Sequence, residues 1–309
     1  MPNAAGYRAG TVGIIGRPSV GKSSLVNAIC GGQVAIVSPV PQTTRSRVRG
    51  VYTSAAGQLI LLDTPGLHDS TRKMNLVLRD RALGVVKDVD IMLAVYDVAR
   101  RFGEEDAAVT GVASGFSGPV FTALNKCDLA GSAAIQRWLD AADLPSADAD
   151  RNAPTPVQIS AATGDGVASL VEQLVQVSPE GPALYPHDMY TDQTPEFRCA
   201  EIIREQAFHR CRQEVPHALY VEVVDLENRR DGNGESTLWV RATIWVERDS
   251  QVGIVVGHNG EGISAIRSSA ADNLRDIFGM RVQLALRVKV KKNWRQRDAV
   301  LHAISEPSG

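Results

Sequence analysis

Short apolar runs recur through the first half of the chain, at 11–15, 48–54, 58–63, 90–98, 120–125 and 156–160, and read as strands. Between them, helical periodicity predicts helices at 22–30, 74–87, 104–114, 133–142 and 165–177, with Gly31 and Gly32 placed to stop the first. Such alternation predicts an α/β unit, a mostly parallel sheet with helices on both faces. The texture changes at SPEGPALYPHDMYTDQTPEF, residues 178–197, where Pro179, Pro182, Pro186 and Pro195 predict a linker with little regular structure. A different order follows: an amphipathic helix at 196–214, strands at 218–226 and 237–247, two helices around a glycine turn, and a strand at 281–291. In that last strand Val282, Leu284, Leu286, Val288 and Val290 share one face, while Arg281, Arg287, Lys289 and Lys291 share the other. The pattern predicts two domains, 1–178 and 196–309, joined by a linker at 179–195.

Composition changes this picture little. With 44% apolar and 22% charged residues and a net charge of -2, the chain reads as a soluble globular protein. The asymmetry lies in Arg281, Arg287, Lys289, Lys291, Lys292, Arg295 and Arg297, a basic stretch with no acidic residue. Most of it is one face of a half-buried strand. Cys30, Cys127, Cys199 and Cys211 form no CxxC pair, and their irregular spacing suits neither a metal site nor a disulfide framework. No apolar run approaches the roughly 18 residues of a membrane span, and the N-terminus has no secretory pattern. The expectation is a cytoplasmic protein.

Candidate chemistry begins with GRPSVGKSSL at 16–25. A glycine, four residues and Gly-Lys-Ser between a strand and a helix form a phosphate cradle from Gly16, Arg17, Pro18, Ser19, Val20, Gly21, Lys22, Ser23 and Ser24. Lys22 is expected to reach the β- and γ-phosphates, and Ser23 to place its hydroxyl on Mg²⁺. DTPG follows at a strand end: Asp63 as a second Mg²⁺ residue, then Thr64, Pro65 and Gly66, whose N–H can meet a γ-phosphate. Between the two lies PQTTR at 41–45, where Thr44, with Thr43 as the alternative, can complete the Mg²⁺ shell only while the γ-phosphate is present. NKCD supplies Asn125, Lys126 and Asp128; a carboxylate there accepts two hydrogen bonds that guanine offers and adenine does not. Ser160, Ala161 and Ala162 of SAATGDGV add backbone donors near the guanine carbonyl. Five motifs in this order, each at a strand end, select GTP over ATP.

The sequence resembles the Era family of bacterial GTPases nearly from end to end. GRPSVGKSSL, PQTTR, DTPGLH, EGPALYP, AEIIREQA, VPHALYVEV, VERDSQVGIVVGHNG and RVKVKKNW are all similar to family segments. The resemblance implies a P-loop GTPase domain followed by a smaller α+β type II KH domain that binds the 3′ end of small-subunit ribosomal RNA. It implies GTP/GDP and Mg²⁺ as ligands, a role in 30S subunit assembly, and weak peripheral contact with the membrane. Lys22, Thr44 and Gly66 are the candidates for transition-state stabilisation. Leu67 stands where Ras-like GTPases orient the attacking water with glutamine, so intrinsic hydrolysis is expected to be slow. Ser19 stands where the family usually has asparagine, a residue that helps hold K⁺ in related GTPases; K⁺ stays a candidate cofactor, weakened by the shorter serine.

In the second half, GHNG at 257–260 sits between two helices, in the element order of a KH domain. Glycines there admit the backbone of about four nucleotides close to two helix N-termini. Gly257, His258, Asn259 and Gly260 are therefore candidate RNA contacts, and because the loop holds no lysine or arginine, Arg267, Lys289, Lys291 and Lys292 are the candidate cations. Trp239 and Trp245 read as packing in preference to base stacking. The expected partners are small-subunit rRNA and the 30S subunit, with no DNA, and a monomer. Two other readings remain. In one, GTP is a structural ligand without useful turnover. In the other, the C-terminal domain docks another RNA, a protein or a membrane surface.

Overall fold

The computed structural model describes residues 6–37, 48–63, 89–142, 155–211, 214–230 and 234–297. Thr43, Thr44, Thr64, Pro65, Gly66, Leu67 and the helix expected at 74–87 lie outside them. The chain divides into two compact units, Met1–Ala35 with Pro41–Asp192, and Ile36–Val40 with Gln193–Gly309.

The first unit carries strands β1 (Arg8–Ile15), β2 (Val48–Thr53), β3 (Gly57–Asp63), β4 (Ile91–Asp97), β5 (Val120–Asn125) and β6 (Val157–Gln158). Its helices are α1 (Lys22–Cys30), α2 (Glu104–Ser114), α3 (Ser132–Ala142) and α4 (Val167–Val177). The sheet order is β2-β3-β1-β4-β5-β6, with β2 antiparallel to β3 and the other pairs parallel. Every residue of β3 and β4 is buried. That burial explains their unbroken apolar runs, since helices on both faces leave such a strand no wet side. β1 begins three residues earlier than its apolar run suggests, because Arg8 to Gly10 pair in register with Gly57 to Leu59. Helix α1 starts from Gly21 (φ +99°) and stops at Gly31 (φ +67°), both left-handed and so suited to glycine.

The proline-rich segment has little regular structure, with only isolated bridges at Glu180 and Thr191. Residues after Ser178 nevertheless lie along the first unit. Ala9 N donates to Pro179 O (2.9 Å) and Val51 N to Tyr190 O (2.9 Å). The buried Gln58 side chain accepts from Leu184 N and Tyr185 N and donates to Tyr185 O. Arg49 pairs with Asp192 at 2.6 Å, and Thr191 Oγ1 donates to Arg49 O. Prolines bar a full strand ladder, yet isolated backbone groups between them still find partners along β2 and β3.

The second unit consists of α5 (Pro195–Arg210), α6 (Val215–Ala218), β7 (Tyr220–Arg230), β8 (Ser236–Val246), α7 (Asp249–Val256), α8 (Glu261–Phe278) and β9 (Arg281–Val290). β8 is central, antiparallel to β7 and parallel to β9. Thr194 caps α5, its hydroxyl accepting from Phe197 N at 3.3 Å, with Pro195 in the first turn. One sheet face, Leu238, Val240, Ala242, Ile244, Val246 and Leu284, packs on Ile203, Phe208, Ile266, Ala270 and Leu274 of the helices. Burying each larger side chain contributes about 1.5–3 kcal/mol. Trp294 is fully buried, and its indole N–H donates to Ala218 O at 2.9 Å. Among the described residues, no helix is long and apolar enough to cross a membrane.

Candidate functional site

The site is built where β1, β3, β4 and β5 end. β1 delivers the loop from Gly16 to Gly21, and α1 begins at Lys22. A Cβ on Gly16 would lie 2.6 Å from Val95 O, and one on Gly21 would lie 2.4 Å from Asn125 Nδ2. Neither position has room for a side chain, so the loop packs tightly on β4 and on the NKCD turn. Ser23 Oγ donates to Asp63 Oδ2 at 2.7 Å. A hydroxyl and a carboxylate side by side are the hard oxygen donors that Mg²⁺ prefers, so these two residues fit the ion.

Lys22 is buried, and its Nζ donates to Gly16 O and Arg17 O, both at 3.0 Å. Burial pulls its ammonium down from 10.5 to about 8, against the opposing pull of Asp63. A phosphate bound beside Nζ would favour the charged form, so a nucleotide complex would keep this proton at pH values where the free protein sheds it. GTP affinity is therefore expected to fall as pH rises above about 8, approaching tenfold per unit. Calorimetry in buffers of different ionisation heat should register the accompanying proton uptake. The nucleotide-free fold behaves in the opposite sense. Its unfolded chain binds more protons between 8 and 10.5, so its stability rises with pH across that window.

The end of the site carrying the NKCD turn is organised by Asn125. Its Nδ2 donates to Val20 O (2.7 Å) and its Oδ1 accepts from Ala161 N (2.9 Å), linking the phosphate loop to the 160–162 turn. The neighbouring Cys127 N donates to Ile159 O. Ser160 is buried, whereas Asp128 is exposed on a short 3-10 turn, where its carboxylate is open to a ligand. Lys126 is left-handed (φ +66°), and its Nζ reaches Ser19 O and Asp97 Oδ2, both at 2.8 Å. Ser19 is left-handed too (φ +62°) and exposed, and Pro18 and Ser24 are partly buried beside it.

Two carboxylates missing from the sequence reading support this end of the site. Asp97 closes β4 and is buried against Lys126. Asp106, in the first turn of α2, lies 3.0 Å from Arg17 Nε. Burial pushes the Asp106 carboxyl up and the Arg17 guanidinium opposes it. No motif spacing marks either residue; Asp97 shows only as an acidic residue ending an otherwise apolar strand, and Asp106 as one of three acidic residues opening a helix.

In the second unit Gly257 (φ +73°), Asn259 (φ +48°) and Gly260 (φ +81°) make the turn between α7 and α8. A Cβ on Gly257 would meet Gly262 N at 2.7 Å, while Gly260 faces open space. Arg267 is exposed on α8, 3.4 Å from Ser264 Oγ. The structure separates this helical layer from the expected strand cations. Lys289 projects from the face of β9 opposite the helices, and Lys291 follows just past the strand end, 5.9 and 5.3 Å from the Trp245 ring, with Lys292 next to it. Trp245 Nε1 donates to Glu222, and Arg229 stacks at 4.1 Å on Trp239, so both indoles pack within that face.

Residues 11–126 match the family described as 50S ribosome-binding GTPase, and residues 214–295 match the KH domain family. Fold and site thus define a P-loop GTPase joined to a KH domain. GTPase Era of Treponema pallidum (strain Nichols) is 43% identical over 326 residues, 98% of this chain and 99% of that one. GTPase Era of Thermotoga petrophila is 39% identical over 294 residues, 95% of each chain. The chain belongs to the Era family of GTPases. Among solved structures, a tyrosine-to-alanine variant of Aquifex aeolicus Era bound to GDP and AlF4⁻ superposes with a TM-score of 0.87 at 30% identity, covering 96% of this chain and 98% of that one. Era in complex with MgGDPNP and nucleotides 1506–1542 of 16S ribosomal RNA gives 0.87 at 29% identity with the same coverage.

Proposed function

We propose that this GTPase uses its nucleotide state to control how its KH domain holds the 3′ end of small-subunit rRNA during 30S assembly. The observation that carries the reading is the union, in one chain, of a phosphate loop with Ser23 and Asp63 side by side and a glycine turn between two helices of a KH fold. The Era structure bound to 16S rRNA nucleotides supports the choice of RNA.

In this reading Lys22 binds the β- and γ-phosphates, and the loop N–H groups from Gly16 to Ser24 surround them. Ser23 and Asp63 hold Mg²⁺, with Thr44 joining them; the ion neutralises phosphate charge. Asp128 reads guanine, while Asn125, Lys126 and the turn at 160–162 keep it in place. Gly66 N–H stabilises the charge that develops on the γ-phosphate, and Thr64, Pro65 and Leu67 carry it there. Leu67 offers no hydrogen bond to water, which keeps hydrolysis slow. Potassium is a weaker candidate than Mg²⁺ here, because Ser19 presents only a short hydroxyl. Gly257, His258, Asn259 and Gly260 hold the RNA backbone with Arg267 beside them, while Lys289, Lys291 and Lys292 attract it from the sheet side. We assign residues 1–178 to the GTPase domain, 179–195 to the connection and 196–309 to the KH domain, in a cytoplasmic monomer. The basic face of β9 is its candidate for peripheral contact with the inner membrane surface.

The test is binding to a short RNA matching the 3′ end of small-subunit rRNA, with a GTP analogue and with GDP, at two salt concentrations. Salt-sensitive binding that prefers the GTP form is expected. Gly260→Asp places a carboxylate in open space at the start of α8, on left-handed backbone (φ +81°) that strains any side chain, so a thermal scan of the variant accompanies the binding assay. It should weaken RNA binding at least tenfold through phosphate repulsion while GTP binding stays intact. Loss of both would show that the turn is only structural, and no RNA binding in either state would remove the reading.

A further inference from the structure

We propose that Asp97 is a positioning residue of the nucleotide site, acting through Lys126 on the Ser19 carbonyl of the phosphate loop. The inference rests on the GTPase reading. It concerns a residue outside all five nucleotide motifs.

The geometry is a chain of three groups. Asp97 is 2% exposed at the end of β4, and its Oδ2 lies 2.8 Å from Lys126 Nζ. The same ammonium donates to Ser19 O at 2.8 Å. The other Asp97 oxygen accepts from Ala99 N at 3.1 Å, which fixes the carboxylate's rotation. Register holds the strand ends together, since Asp97 pairs with Asn125 across β4 and β5 and Val98 N donates to Asn125 O. Arg100 also approaches Asp97 Oδ2, at 3.8 Å, but its side chain is 64% exposed. An exposed pair at that distance orients little.

The arrangement answers a local conformational problem. Ser19 and Lys126 are both non-glycine residues with positive φ, a backbone state that persists only where surrounding contacts hold it. One hydrogen bond joins them, and its donor is a flexible ammonium. Lys126 alone has many rotamers that point into water. A buried carboxylate on a rigid strand removes those alternatives. It fixes the Ser19 peptide, and with it the opening of the loop that receives phosphates. The lever therefore spans the nucleotide site from its base-reading strand to its phosphate loop.

The test is the dissociation rate of a fluorescent GDP from the full chain, measured for wild type, Asp97→Asn, Lys126→Gln and the double variant. Asp97→Asn keeps the shape and removes the charge. It should speed GDP release about tenfold, the scale of a lost charge-assisted hydrogen bond. The double variant should release GDP no faster than Lys126→Gln alone, because both substitutions break one chain. Additive effects would overturn the proposal, as would unchanged release in Asp97→Asn. A fall in the melting temperature of nucleotide-free Asp97→Asn with no coupling to Lys126 would likewise make Asp97 merely structural. Failure of the wild type to bind the fluorescent GDP would instead strike the GTPase reading itself.

Discussion

Lys22→Ala is expected to weaken GTP and GDP binding by at least about 10³-fold, the equivalent of roughly 4 kcal/mol for two lost charge-assisted contacts. Lys22 is buried beneath the loop, and its Nζ spends its hydrogen bonds on Gly16 O and Arg17 O until a phosphate arrives. Burial there is unfavourable for the ammonium, as its depression to about 8 records. The residue is thus held charged at neutral pH at some cost to the fold, and a phosphate bound in the proposed site would recover that cost. Equilibrium binding of labelled GTP is the measurement, with a thermal scan to show that the variant remains folded. Micromolar binding by Lys22→Ala would mean that the loop N–H groups alone hold the nucleotide.

Asp128→Asn is expected to lower GTP affinity by about 10³-fold and to raise affinity for XTP. A carboxylate accepts both guanine N1–H and its exocyclic amine. The amide that replaces it presents one N–H₂, which matches the carbonyl xanthine carries in place of that amine. Asp128 is exposed on the turn after β5, and that turn is held by backbone bonds of Cys127 and Leu129. The exchange should leave the fold untouched, so the effect is read cleanly as selectivity. Competition between GTP and XTP in the two proteins decides it; an unchanged preference for GTP would remove Asp128 from its role.

Much of this site was legible in the chain because its chemistry requires fixed local spacing. Gly16, Gly21, Lys22 and Ser23 must follow one strand, and Asp63, Asn125 and Asp128 must end others, so sequence order already placed them together. Asp97 and Asp106 escaped because they serve the site from the side. Each holds a residue of a motif, Lys126 or Arg17, across a gap in sequence that no periodicity reports. The KH domain presents the converse case. Alternation in β9 correctly put Lys289 on one face, but only the packing of Leu284 against the helices shows that GHNG belongs to the other layer. β7 runs on to Arg230, past its apolar stretch, because pairing with β8 continues to Ser236 where neither side is buried.

The strap from Pro179 to Asp192 has a consequence for how the chain can be divided. β2 is the outermost strand of its sheet, and an outer strand with bare N–H and C=O groups is a template for another copy of the same chain. Tyr190 and Thr191 occupy Val51 N and Arg49 O along that strand. A fragment cut at residue 178 would uncover them and should self-associate on concentration, whereas one cut at residue 192 should run as a single species in gel filtration. The segment that reads as a linker between two domains thus also covers an edge by which the GTPase half could pair with itself.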